Sequence, residues 1–201
     1  MIYDYIIQNY KNGDPIFLSD LPGASKDYLR QDMKQLCDDG RLERLYNGVY
    51  YLSYLTILGT KGKVSIDRYI EKKYLNTGGY VTGLQLANKY GFTTQNPSCY
   101  EVCSNEATTK QRKQVVDGNT IIVYKPMTVI TEKNKAVLQF LDLMSVIDRY
   151  SEISGIELKS ALKRYVKTAK VDFSVVKELM PLYPDKVYRN IYDGGLMGEL
   201  V

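Results

Sequence analysis

Lys26, Arg30, Gln31 and Lys34 lie close together in the sequence, just behind Ser25. Arginine and glutamine can each make paired hydrogen bonds to a base edge, and lysine reaches phosphate as a point charge. Arg44, Tyr46 and Asn47 form a second group, suited to a sugar–phosphate backbone or a minor groove. Lys61 and Lys63 follow in a glycine-bearing stretch and are candidates for further phosphate contacts. These residue types point to recognition rather than turnover. The chain has no histidine, so the commonest general base is missing and histidine-activated serine or cysteine nucleophiles are excluded. Neither Asp142 with Asp148 nor Glu152 with Glu157 has the spacing of a carboxylate pair. Serine–lysine chemistry stays open, but nothing marks a pair, and no enzyme is expected. Cys99 and Cys103 have no histidine and no second cysteine pair to complete a zinc site, so no metal and no cofactor is expected.

The side chains of the first group need a helix to hold them. Ser25 is placed to cap one, its hydroxyl accepting from a free amide of the first turn. Leu29, Met33 and Leu36 repeat at helical spacing and give it one apolar stripe. Gly40 ends it. With that stripe turned inward, Lys26, Arg30, Gln31 and Lys34 face solvent. Two strands follow, Arg41 to Tyr46 and Val49 to Tyr54, with Asn47-Gly48 between them predicting a type I′ hairpin. Ahead of the helix stand a short element, Leu18 to Leu21, and a turn, Pro22-Gly23-Ala24. Helix, turn, helix, then hairpin is the order of a winged helix-turn-helix, whose second helix can enter a major groove. The same unit could instead serve protein contacts, with an ordinary solvated polar face.

The fold class expected is α+β: a winged helix-turn-helix over 1–55, a linker at 56–63, and a mixed α/β domain over 64–201. That second domain ends in a helical region from about 132. Ile2, Tyr5, Ile6 and Tyr10 predict a first helix, Met1 to Lys11, behind the helix-turn-helix. Ile16-Phe17 predicts a short strand that pairs with the wing. Val64 to Leu75 reads as a helix. Thr82 is placed to cap another, with Leu84, Leu86, Ala87 and Tyr90 as its core face and Gly91 as its stop. Strands are expected at Cys99–Cys103, Val115–Val116 and Thr120–Tyr124, the last two joined by Asp117-Gly118-Asn119. The basic segment Thr108–Lys113 reads as a solvated loop, or as a second DNA contact. Helices follow from Ala136, from Gly155 (capped by Ser154, with Ile156, Leu158, Leu162, Tyr165 and Val166 inward), from Ser174 and from Asp185.

The 201 residues can bury a core without disulfides. No apolar run is long enough to span a membrane, and the basic head and cleavage site of a secretory signal are missing, so a cytoplasmic protein is expected. Tyrosine, at 19 residues, is over-represented. It suits an interface, or reflects a Lys-, Asn- and Tyr-rich composition. Charge is uneven: residues 1–55 hold 6 Lys+Arg and 8 Asp+Glu, residues 56–135 hold 12 and 6, and residues 136–201 hold 9 of each. The winged segment is therefore slightly acidic, which weighs against strong DNA binding by it alone.

The stretch GRLERLYNGVYY (Gly40 to Tyr51), behind Ser19-Asp20-Leu21, resembles the N-terminal domain of AbiEi-type antitoxins. TGLQLANKYGFTTQNP (Thr82 to Pro97) and the hairpin VVDGNTIIVY are similar to that family's second domain. The resemblance covers roughly residues 1–130. It implies a bacterial autorepressor that binds double-stranded DNA of its own promoter. It also implies a nucleotidyltransferase-like toxin encoded beside it in a type IV toxin–antitoxin, phage-defence system. The helical C-terminal third departs from the family pattern. A homodimer is one arrangement such a repressor could adopt.

Overall fold

The computed structural model describes residues 2–23 and 25–200, with the side chain of Leu200 left out. Met1 of the expected first helix and Ala24 of the expected Pro22–Ala24 turn lie outside the described residues. The fold is α+β. The chain divides into two compact units, Met1–Lys73 with Val116–Asn119, and Tyr74–Val115 with Thr120–Val201.

In the first unit, α1 (Ile2–Asn9) is followed by β1 (Ile16–Phe17), a single 3-10 turn (Leu18–Asp20), α2 (Lys26–Asp38), β2 (Leu42–Tyr46) and β3 (Val49–Leu52). The sheet order is β1-β3-β2, all antiparallel, with Ile16 opposite Tyr50 and Phe17 opposite Val49. This is the winged order, with the first helix of the helix-turn-helix reduced to one 3-10 turn. Leu29, Met33 and Leu36 pack with Ile6, Ile16, Leu42 and Leu52, so the helical stripe supplies a third of the buried residues of this core. Ile2, Tyr5 and Tyr10 only flank it.

Residues 56–63 fold back on themselves. Leu55 bridges Lys61, Thr56 N donates to Thr60 O (2.8 Å), and Gly59 takes a positive φ of 74°. The next helix, α3 (Ile66–Ile70), runs on as a π-helical segment to Leu75. Up to Lys73 it groups with the first unit, whereas the sequence places residues 64 onward in the second. Phe17 stacks on Tyr69 with ring centroids 5.9 Å apart. Lys72 donates to Pro15 O (3.0 Å), pairs with Asp20 (3.2 Å) and lies over the Tyr10 ring.

The second unit carries β4 (Tyr80–Val81), α4 (Gly83–Lys89), β5 (Tyr100–Cys103) and all but the turn-side end residue of each of β6 (Gln111–Val116) and β7 (Asn119–Tyr124), in the sheet order β4-β5-β7-β6. β5 and β7 run parallel, with Tyr100 opposite Ile121. Helices α5 (Lys135–Met144), α6 (Ile147–Tyr150), α7 (Gly155–Ala169), α8 (Phe173–Leu179) and α9 (Asp185–Asp193) complete it. Their core gathers Phe140, Leu141 and Met144 of α5 with Leu162 and Tyr165 of α7, Val176 of α8 and Ile191 of α9.

Several local expectations are corrected here. Thr82 sits at the N-cap of α4 without a side-chain bond, and the Glu101 carboxylate accepts from Leu84 N instead (3.0 Å). Ser154 likewise gives no side-chain cap, and Asp172 rather than Ser174 caps α8. Ile156 is 85% exposed, because it stands about 120° around α7 from Leu162 at 100° per residue. Gln111, Arg112 and Lys113 belong to the outer strand β6 rather than to a loop, with their side chains exposed.

Candidate nucleic-acid interface

Helix α2 starts as the sequence predicts. Ser25 accepts from Asp27 N (3.3 Å), so its hydroxyl is occupied as a cap. Lys26, Arg30, Gln31 and Lys34 are all exposed. Lys26, Arg30 and Lys34 follow one another at i, i+4 spacing along one stripe, and Gln31 is turned off that stripe. Arg30 donates to Asp27 Oδ1 (2.8 Å), an exposed pair that steadies the guanidinium at little energetic gain.

The hairpin departs from the expected type I′ turn. Of its two turn residues only Gly48 has positive φ (70°), and the register shifts between Arg44 and Tyr46. Tyr46 lies opposite Val49, and Arg44 lies opposite Tyr50. A regular two-residue hairpin would set Arg44 against Tyr51. One extra residue on the bulged strand reverses which face a side chain takes. Asn47 then accepts from Arg44 Nη2 (2.7 Å).

The consequence is a cleft of about 530 Å³ between α2 and the hairpin. Arg30 and Lys34 line one wall, Arg44 and Asn47 the other, with Leu18 and Tyr50 behind them. It contains three cations and no carboxylate. Of the nearby acids, Asp27 pairs with Arg30, whereas Asp32 and the capping Asp39 line a separate groove with Ile2, Tyr3 and Arg41. Net charge over residues 1–55 thus averaged away a charge segregation that helical spacing creates.

The structure brings together Arg30, Lys34, Arg44 and Asn47. Lys26, Gln31 and half-buried Tyr46 stay outside the cleft, as does Ser25. Lys61 and Lys63 are engaged by acids: Lys61 donates to Glu43 (2.7 Å), which raises its pKa, and Lys63 pairs with Asp117 (3.2 Å). The sequence reading missed Leu18 and Tyr50 as cleft walls. The bulge that sets Tyr50 against Arg44 has no clear residue signature in a Leu-Tyr-Asn-Gly turn.

Among the described residues, no group of three histidine, cysteine, aspartate or glutamate side chains could hold a metal, and no helix is long and apolar enough to cross a membrane. Burial pushes the Cys103 thiol up to about 12, so it stays protonated.

No protein-family model matches the chain, and no curated protein is similar to it in sequence. Among solved structures it is similar to the RV2827C protein of Mycobacterium tuberculosis. The TM-score is 0.49 and the identity 10%, over 92% of this chain and 74% of that one. A likeness of that degree carries no residue and no activity across.

Proposed function

We propose that the first unit binds double-stranded DNA in a sequence-selective manner, and that the protein represses transcription from its own promoter. The observation that carries this reading is the cleft whose lining brings Arg30, Lys34 and Arg44 together and includes no carboxylate, Asp27 reaching Arg30 from beyond it. In this reading α2 enters the major groove, Arg30 reads a base edge, and Lys34 and Arg44 hold phosphates on either side. Asn47 orients Arg44 through its 2.7 Å hydrogen bond. The similarity of Gly40–Tyr51 and Thr82–Pro97 to AbiEi-type antitoxins supports the autoregulatory setting. It extends the proposal to a cytoplasmic antitoxin that opposes a nucleotidyltransferase-like toxin encoded beside it.

The test is an anisotropy titration with DNA from immediately upstream of the coding region, against scrambled DNA of equal length, at two salt concentrations. The expected result is preference for the upstream DNA. A log–log salt slope of about −2 is expected for the two phosphate-holding cations, Lys34 and Arg44, at roughly 0.9 per phosphate. Equal affinity for both DNAs would reject sequence-selective repression. No binding at low salt would reject the DNA reading and leave the winged unit as a protein-contact module.

A further inference from the structure

The second unit holds a cavity of about 420 Å³ that the DNA reading does not use. Two acidic residues line it. Glu101 is 7% exposed; it accepts from Tyr124 OH (3.0 Å) on one oxygen and from Leu84 N (3.0 Å) on the other. Asp142 accepts from Tyr80 OH (2.8 Å) and Tyr183 OH (3.0 Å), again one bond per oxygen. Burial and the Asp142 charge push both phenols far up, so each remains a donor. A carboxylate offers about four acceptor sites. Half of the acceptor capacity of each acid is therefore unused by the protein, in a place poorly supplied with bulk water.

Lys110, Lys125 and Arg149 also line the cavity and are exposed. Among the described residues none of them is ion-paired. Arg149 is held over the Tyr150 ring, 4.5 Å from its centroid, and donates to that phenol (2.9 Å). Met127 and Val146 add apolar wall. The cavity thus has one buried and one half-buried acidic acceptor, apolar sides and an exposed set of cations. Its volume is that of an ordinary small-molecule site.

We infer that this cavity binds a mononucleotide whose base carries an exocyclic amino group, with the amino group donating to Glu101 and the phosphate held by Lys110, Lys125 and Arg149. The apolar wall takes the ring face. A base that offers only carbonyl oxygen at that position meets the Glu101 carboxylate instead of a donor and is rejected, because a carboxylate offers acceptors only.

The experiment is calorimetric titration of the full chain with CMP, AMP and GMP, with UMP, the corresponding nucleosides and inorganic phosphate as controls. At least one amino-bearing nucleotide is expected to bind at least tenfold more tightly than UMP and than its own nucleoside, the scale of one hydrogen bond to a charged group. Lys125→Ala with Arg149→Ala, both exposed positions, is expected to weaken it about tenfold or more while leaving the unfolding midpoint in place. Glu101→Gln keeps an acceptor for Leu84 N and is expected to abolish the preference over UMP. Should that variant fail to fold, the nucleotide panel and the double variant still decide. No heat with any nucleotide up to about 1 mM, a ceiling for a weak specific site, would overturn the inference. Equal binding of UMP or phosphate would also overturn it, leaving a plain anion site.

Discussion

The cleft of the first unit and the cavity of the second are made from opposite materials. The cleft is lined by exposed cations, carried on one helix and one hairpin and close in sequence. The cavity is floored by acids and tyrosines that are buried (Glu101, Tyr80) or half-buried (Asp142, Tyr124, Tyr183) and come from positions as far apart as Tyr80 and Tyr183. Changing the first costs the fold little, because exposed side chains contribute little to stability. Changing the second disturbs hydrogen bonds made where water cannot replace them. The difference teaches that a surface site can be separated from stability, whereas a buried polar site cannot. Each variant below tests that separation.

The largest effect is expected at Gly83. Its φ is +64°, and a Cβ there would run into the Glu101 carboxylate. Gly83→Ala combines a left-handed non-glycine residue with displacement of a buried acceptor. A loss of about 3 kcal/mol or more is expected. In a chain of this size that lowers Tm by roughly 6–12 °C. A drop of a degree or less would show that Glu101 has room to move, and the cavity floor would then be as soft as the cleft.

Next comes the cleft. Arg30→Ala, Lys34→Ala and Arg44→Ala together are expected to weaken DNA binding about a hundredfold or more, each contact being worth roughly 1–3 kcal/mol. Tm should stay within about 2 °C of the parent, since all three are surface changes. Taken singly, Arg30→Ala is expected to relax sequence preference, and Lys34→Ala to weaken all sequences alike. Equal effects of both on scrambled DNA would remove Arg30 as a base reader. A large fall in Tm would break the contrast between the two regions.

What could be read from the sequence follows the same division. The stripe Leu29, Met33 and Leu36 fixed which face of α2 was buried, and so left Lys26, Arg30 and Lys34 outside. Periodicity suffices there because the neighbours along a helix are known from spacing alone. The short strand Ile16–Phe17 and its pairing with the wing were legible for the same kind of reason. The bulge that brings Arg44 beside Tyr50 was not, since Asn-Gly favours the regular turn and only the fold decides against it. Glu101 and Asp142 were illegible as a pair. Nothing in a strand reading Tyr-Glu-Val-Cys says that its glutamate turns inward to cap a helix and meet Tyr124. Such a constellation depends on long-range contacts, which no local pattern encodes. Thr82, a better local cap by residue type, was displaced by exactly that kind of contact.

Asp142 offers a smaller test with a definite sign. Burial pushes its carboxyl up to about 6 from 3.8, against the opposing effect of the Tyr80 and Tyr183 hydrogen bonds. The folded state therefore holds a proton over a window where the unfolded state has released it. The stabilisation from this group is complete below pH 3.8 and is lost as the pH rises through 6. Asp142→Asn cannot titrate. The stability of the parent relative to this variant is expected to rise by about 1 kcal/mol between pH 7 and pH 5, read from urea melts at each pH. A flat difference would mean that Asp142 is solvated like the cleft residues.

The smallest effect is expected at Tyr165, where burial alone is at stake. Its ring lies at the centre of an aromatic group, 4.5 Å from Tyr90 and 6.2 Å from Phe92 between centroids, and is 1% exposed. Its hydroxyl is buried with no hydrogen-bond partner among the described residues. An unpartnered buried hydroxyl loses its water without compensation. Tyr165→Phe keeps the ring contacts and removes that cost, so stability is expected to be unchanged or to rise by up to about 1 kcal/mol. DNA binding should not move, since Tyr165 is remote in kind from the exposed cations of the cleft. A loss of stability on the same scale would mean that the hydroxyl has a partner after all, and the second unit would then hold a further satisfied polar group behind the cavity.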